Sequence, residues 1–300
     1  MADHPGCSTP PDAAHRCVLF SLPAAALLAP ARDARAQAPA DELFLVAQKA
    51  FEDGFYDVAL RYIEQYLQKY PAAEKKVQGR LLLGQCYFFQ GQYLKAFDVF
   101  QQLLPLTEFR DATLFWLGET YLKGSDYRQA EKHYRQVLEL FPDSAYAPQA
   151  YYSLAWTYFE QENYEKAREF FLTLFRRFPL HQLAEDALFR AGECDYHLGQ
   201  YQNAVQYFRD YVLRYPKSTR HAESYFYAAE SYYYMEDFLT AITYYARAAH
   251  IAYDRKIVYL STVSMGWSYL KLGKHDLAEK HFLEARKISR DQGMICLLYT

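Results

Sequence analysis

Cysteine is scarce, five in 300 residues, so no disulfide framework is written into this chain. Glycine and proline number twelve each, too few for a collagen-like or low-complexity protein. Neither sign of charge dominates: 33 Lys and Arg stand against 36 Asp and Glu, a net charge of −3. That leaves no bulk basic field to hold nucleic acid or an anionic membrane. Catalytic signatures are missing as well, with no Gly-rich phosphate loop, no G-x-S-x-G and no H-E-x-x-H. Tyrosine is what abounds, 30 residues within an aromatic share of 18%. Such ring surface serves recognition as well as packing. With 51% apolar residues the chain can bury a large core, and length alone suggests two domains.

Residues 1–40 differ in texture from the rest. They show no helical periodicity and hold Pro5, Pro10, Pro11, Pro23 and Pro39. His15-Arg16 precedes an apolar stretch from Cys17 to Leu28, followed by Ala34-Arg35-Ala36 and Ala36-Gln37-Ala38. A basic flank, a short apolar run and an A-x-A site predict a secretory signal peptide. The run falls short of the roughly 20 residues a membrane span needs. Asp3, Asp12 and Pro23 fit a signal poorly, and the alternative is a disordered cytoplasmic leader. Neither Cys7 nor Cys17 has the context of a lipid attachment site, so the exported form is expected to be soluble, periplasmic or secreted.

From Asp41 the chain repeats. An alanine opens the second apolar segment of each unit, Ala59, Ala96, Ala130, Ala167, Ala204, Ala241 and Ala278, at gaps of 37, 34, 37, 37, 37 and 37 residues. Twelve residues upstream stands only glycine or alanine: Ala47, Gly84, Gly118, Ala155, Gly192, Ala229, Gly266. Four residues downstream stands a large apolar side chain: Ile63, Phe100, Tyr134, Phe171, Phe208, Tyr245, Phe282. A ring falls three before the alanine, from Tyr56 and Tyr93 through Tyr201 and Phe238 to His275. This fixed period predicts an all-α solenoid of seven helix-turn-helix repeats over residues 41–290 and overrules the two-domain estimate. The tail, 291–300, is expected to be a short fold-back or the start of a truncated eighth repeat.

Within each unit the 3, 4 and 7 spacing of Tyr151, Leu154, Ala155 and Tyr158, and of Ala167, Phe171 and Leu174, marks two helices. The turn between them carries Gly54, Gly91, Gly124, Gly199 or Gly273, or Gln161-Glu162-Asn163, where Gly or Asn is expected at positive φ. Pro71, Pro142, Pro179 and Pro216 stop second helices, and Asp143, Ser144 and Ser218 are expected to cap the helices that follow. The small residues are expected to let the two backbones approach, Gly or Ala against Ala, with rings filling the flanking grooves.

This pattern resembles the tetratricopeptide repeat (TPR), although the family's usual first-helix tryptophan is replaced by Leu114, Tyr151, Leu188 and Tyr225. The 37-residue period and the phrases Phe141-Pro142-Asp143-Ser144 and Tyr215-Pro216-Lys217-Ser218 resemble a subset of bacterial envelope TPR proteins. These are the Tol-Pal-associated cell-division coordinator and the lipoprotein of the outer-membrane β-barrel assembly machinery. The resemblance implies a right-handed α-solenoid that binds proteins. It also places one stripe of each first helix on a concave groove: Tyr152, Trp156 and Phe159; Phe189, Glu193 and Tyr196; Phe226, Glu230 and Tyr233. Aromatics with interspersed acids suit an extended or helical peptide with apolar anchors and some Lys or Arg. The other possibility for each ring is packing between repeats. The TPR clamp for a C-terminal carboxylate uses Lys and Asn where this chain has Glu or aromatics, which argues against that ligand.

Two buried polar features remain. Cys194 and His197 sit three apart on a helix, but Cys194 shares its repeat position with Cys86, and packing explains it better than metal binding. Lying three repeats apart, roughly 30 Å at about 10 Å per packed helix, the two thiols cannot form a disulfide. Asp195 occupies the slot of Tyr87, Tyr121, Tyr158, Tyr232 and Tyr269, so its carboxylate requires a hydroxyl or basic partner unless it is a functional acid. His275 and His281 are expected to be solvated. The sequence therefore predicts a non-enzymatic scaffold for a protein or peptide, with no cofactor, metal, nucleic acid or membrane span, in the bacterial envelope. A regulatory module of a longer enzyme system and a homo-oligomeric scaffold are the alternatives.

Overall fold

The computed structural model describes residues 34–290, with side chains described for 39–289. Among the described residues there are fourteen helices and no strand. They are α1 (Ala34–Glu52), α2 (Tyr56–Lys69), α3 (Lys76–Phe89), α4 (Tyr93–Leu103), α5 (Arg110–Lys123), α6 (Tyr127–Leu140) and α7 (Ala147–Glu160). Then come α8 (Tyr164–Arg177), α9 (Leu183–His197), α10 (Tyr201–Arg214), α11 (His221–Tyr234), α12 (Phe238–Ile251), α13 (Arg255–Lys271) and α14 (His275–Arg290). Odd-numbered helices are the first, even-numbered the second, of the seven units counted from the sequence. The chain divides into two compact units between Gln136 and Val137, within α6. Inside each unit consecutive helices pack on one another, the arrangement of a TPR α-solenoid.

The helix pairing follows from the small residues, with one correction. The seven repeat alanines are all buried. A Cβ on Gly84 would lie 2.4 Å from Phe100 Cε1, on Gly118 2.5 Å from Tyr134 Cε1, and on Gly266 2.7 Å from Phe282 Cε1. The first-helix glycine therefore meets the large ring four residues past the alanine, rather than the alanine alone. The missing Cβ is filled by the ring itself. Behind it a second layer, Tyr66, Leu103, Leu174 and Tyr211, is also buried.

The tight turn is uniform. Five residues before each alanine the backbone enters the left-handed region, at Gly54, Gly91, Ser125, Glu162, Gly199, Glu236 and Gly273, with φ between 54° and 81° at every positive-φ residue of the described chain. The third and fourth repeats thus use Ser125 and Glu162, where Gly124 and Asn163 were expected. Asn163 instead caps α8, its side chain accepting from Lys166 N at 3.3 Å. Asp126, Asp237 and Asp254 accept similarly from the backbone at the starts of α6, α12 and α13. Ser144 and Ser218 accept from the backbone two residues ahead, from Tyr146 N and Arg220 N, so they fix the turn before the helix rather than cap it. Asp143 does not cap α7, whose N-cap position is Tyr146.

The array also begins earlier than expected. α1 starts at Ala34 and carries Pro39 inside it, so the Ala-x-Ala sequences lie in its first turns. A run of Ala, Gln and Arg has helix propensity without apolar periodicity, which is why the repeat pattern did not mark it. The apolar stretch Cys17–Leu28 and the tail 291–300 lie outside the described residues.

Candidate functional site

First helices in the second unit are covered on more than one side, which decides the fate of the predicted stripe. α9 touches α7, α8, α10 and α11, and ten of its fifteen residues are buried. Phe189 is fully buried against Phe208, Tyr211 and Tyr227. Tyr152 is buried with its hydroxyl on Asp186 of the next repeat. Glu193 is buried and accepts from Arg190 Nη1 at 2.8 Å. These three therefore serve as packing between repeats rather than as an accessible groove. A single helix's periodicity cannot tell which of two apolar stripes its neighbour will cover.

Trp156, Phe159, Tyr196, Phe226, Glu230 and Tyr233 remain half-exposed. Glu230 is engaged internally, accepting from Tyr245 Oη at 2.5 Å and Ser264 Oγ at 2.9 Å. Glu119 accepts from Tyr134 Oη at 2.7 Å in the same way. In both repeats a tyrosine four past the alanine faces a glutamate eleven before it; the other repeats pair Ile or Phe with Gln, Trp or Glu there. Each phenol at this position is thus met by an acid, although Glu193 stands in the same place opposite Phe208.

The accessible rings join others that the sequence reading did not assign to the site. Trp156 stacks on Phe159 with ring centres 5.3 Å apart. Phe159 meets Tyr164 edge-on at 5.2 Å and His197 at 5.7 Å. Tyr164 stacks on His197 at 4.6 Å. Tyr196 touches His197 at 5.5 Å, and both Tyr201 and Tyr234 at 6.0 Å. Tyr201 stacks on Tyr234 at 5.1 Å. Tyr234 touches Tyr233, which reaches Phe238 at 5.4 Å. A continuous belt of nine rings thus crosses repeats four to six, with His197 and Tyr234 its most open members. Its hinge points carried a sequence signal: Tyr164 and Tyr201, the rings three before their alanines, each stack on the last residue of the next first helix, as Tyr56 also does on Phe89 at 4.7 Å.

A set of largely half-buried charges, with the Tyr152 hydroxyl on Asp186, links the same three first helices. Asp186 receives Arg220 and lies 3.5 Å from Arg190 Nε, while Arg220 Nε bonds Glu223 at 2.8 Å. Although burial opposes it, Arg190 and Arg220 hold the Asp186 carboxyl below its ordinary value. Arg190 also lies over Trp156 at 4.9 Å. This set ties α7, α9 and α11 together.

The remaining candidates resolve as packing. Asp195, 1% exposed, pairs with Arg168 of the preceding repeat, whose Nη1 also donates to Gln200 at 2.8 Å. Burial raises its pKa and Arg168 opposes the rise. Cys86 and Cys194 are free, buried thiols; burial pushes Cys86 up to about 12 and Cys194 higher still. Among the described residues no group of three or more His, Cys, Asp or Glu side chains is placed to hold a metal ion. His275 is exposed, but His281 stacks on Tyr269 at 5.3 Å, so the expectation of a solvated His281 is corrected.

Family models described as tetratricopeptide repeat match residues 46–111, 110–179, 186–218 and 263–292. The chain belongs to the tetratricopeptide-repeat family. The C-terminal part of a TPR repeat-containing protein from Cytophaga hutchinsonii is similar with a TM-score of 0.66 and 16% identity, over 81% of this chain and 95% of that one. A TPR protein from Parabacteroides merdae ATCC 43184 gives 0.56 and 17%, over 86% and 96%. YrrB, a TPR protein with an unusual peptide-binding site, gives 0.52 and 16%, over 65% and 94%. At these identities the likeness shows the TPR fold alone. No curated protein matches the chain.

Proposed function

We propose that this TPR protein is a non-enzymatic scaffold that receives a segment of a partner protein on the ring belt of repeats four to six. The observation that carries this reading is the continuity of the belt from Trp156 to Phe238, together with the openness of His197 and Tyr234 at its centre. Rings that served only packing would be covered, as Phe189 is. Aromatic side chains offer broad contact area at low entropic cost, which suits them to binding hot spots. YrrB shows that a TPR fold of this kind can carry a peptide-binding site, a property of that protein that supports the choice of a segment as ligand here.

The test is site-specific photo-crosslinking from position 234 and from Leu213, which is exposed on α10 outside the belt. Crosslinked partners from position 234 that disappear in His197→Ala, with the fold intact by circular dichroism, are expected. Identical products from both positions would refute the belt as the partner site.

The scaffold is further proposed to act in the bacterial envelope. The support is the sequence alone, the basic flank and apolar stretch ahead of Ala34-Arg35-Ala36. Amino-terminal sequencing of the protein from fractionated cells tests it: a mature end among residues 34–40 in the periplasmic fraction is expected, and intact Met1 confined to cytosol would refute it.

A further inference from the structure

Resting on that belt, we infer that the segment it receives is basic, a stretch of peptide whose arginine or lysine side chains lie on the ring faces between two acidic turns. The second unit shows what this chain does with its own cations. Arg177 lies over Tyr151 and Phe178, Arg214 over Phe175 at 4.8 Å, Arg247 over Tyr225 at 4.4 Å and Arg220 over Phe189 at 3.9 Å. Lys166 covers Tyr158 at 4.9 Å. Among the described residues no lysine or arginine lies over Phe159, Tyr164, Tyr196, Tyr201, Tyr233, Tyr234 or Phe238. The seven Phe and Tyr rings of the belt are thus left without a lysine or arginine, while Arg190 covers Trp156 at one end.

The turn residues at the belt's edge carry charge of one sign. The three turns beside the belt, 160–163, 197–200 and 234–237, hold Glu160, Glu162, Glu236 and Asp237 and no Lys or Arg. All four carboxylates are exposed. Part of their field reaches the rings: after burial, Glu162, then Cys194 and Glu160, contribute to raising the Tyr164 phenol. Aromatic faces attract cations through their quadrupole, and a negative rim adds to that attraction. An acidic segment would meet four like charges, and a purely apolar one would leave them without complement. A basic segment is what the surface complements.

The experiment uses the whole chain on an array of synthetic peptides whose variable positions are Arg, Lys, Leu or Glu on a Gly/Ser/Pro background. Titration of the best binders into three proteins follows: the unaltered chain, the ring variant His197→Ala/Tyr234→Ala, and the rim variant Glu160→Gln/Glu162→Gln/Glu236→Gln/Asp237→Asn. Every substituted side chain is exposed, so the fold is expected to persist in the circular dichroism spectrum. Arg and Lys peptides should bind and Glu peptides should not. The rim variant should weaken the Arg peptides about tenfold, the sum of several modest exposed charge terms. Raising salt should weaken them in parallel. If Leu peptides bind as well as Arg peptides and the ring variant abolishes both, the belt stands and its basic ligand is overturned. If Arg peptides bind but ignore the ring variant, the belt itself fails. Absence of any peptide binding overturns both.

Discussion

Replacing Gly84 by alanine puts the packing account at risk. A Cβ there would lie 2.4, 2.8 and 2.9 Å from Cε1, Cζ and Cδ1 of Phe100. Carbon contacts are comfortable at about 3.5–4.0 Å, so the ring must withdraw by about 1 Å. It has nowhere free to go, being fully buried and stacked against Trp116 with ring centres 6.3 Å apart. Overpacking of this kind costs about 1–3 kcal/mol. Against it stands the gain of about 1 kcal/mol from replacing a helical glycine with alanine. The net expectation is a loss of up to about 2 kcal/mol. Gly192→Ala provides the contrast: its Cβ would meet Phe208 at 3.0 Å, so loss and gain nearly cancel. Urea unfolding followed by circular dichroism reads both, with constant slope confirming a common transition. The first repeat already combines Ala47 with Ile63, so Gly84→Ala/Phe100→Ile should recover part of the loss by a coupling of about 1 kcal/mol. A stabilised Gly84→Ala, or one that matches Gly192→Ala, would refute the account of glycine as a seat for the ring.

Other consequences are as direct. Ser125→Gly, Glu162→Gly and Glu236→Gly should each stabilise by up to about 1 kcal/mol, because L side chains are strained at φ near 60°; unchanged midpoints would contradict this. Arg168→Ala leaves the Asp195 carboxylate buried without its cation and should cost about 1–3 kcal/mol, whereas Asp195→Asn should cost less and leave peptide binding unaltered. Burial, then Lys132, holds the His133 imidazole below its ordinary value while Gln136 opposes. The unfolded chain then takes up the proton first, so stability should fall as pH drops below about 6.5 towards the lower folded value. His133→Phe, the residue type that Phe170 supplies in that slot of the next repeat, should flatten that part of the stability profile; an unchanged slope would count against it.

The period could be read because glycine, alanine and ring recur at fixed offsets, and steric exclusion at a helix contact tolerates few substitutes. Where residue preference competed with the period, preference misled. Gly124 and Asn163 look like residues for positive φ, yet the backbone turns at Ser125 and Glu162 because the repeat geometry fixes the turn five residues before the alanine. The candidate belt was only half visible. Phe226 and Tyr233 carry the same type of side chain as Phe189, but burial depends on what the adjacent repeat places opposite, which no single helix encodes. Likewise Asp195 finds Arg168 27 residues earlier, through contact between α8 and α9 rather than through local spacing. The helix from Ala34 escaped notice for the opposite reason, having propensity without pattern.

The pairing of Tyr134 with Glu119 and of Tyr245 with Glu230 bears on how such arrays can be recombined. In both repeats the second helix's phenol meets a carboxylate on the first helix, a stronger acceptor than a neutral amide. α6 and α12 could therefore be exchanged with each other, whereas α6 grafted behind α3 would set a buried hydroxyl against Gln85. Swapped cassettes of this protein should sort into two grammars, phenol-with-acid and hydrocarbon-with-any, and chimeras that mix them should melt first at the junction.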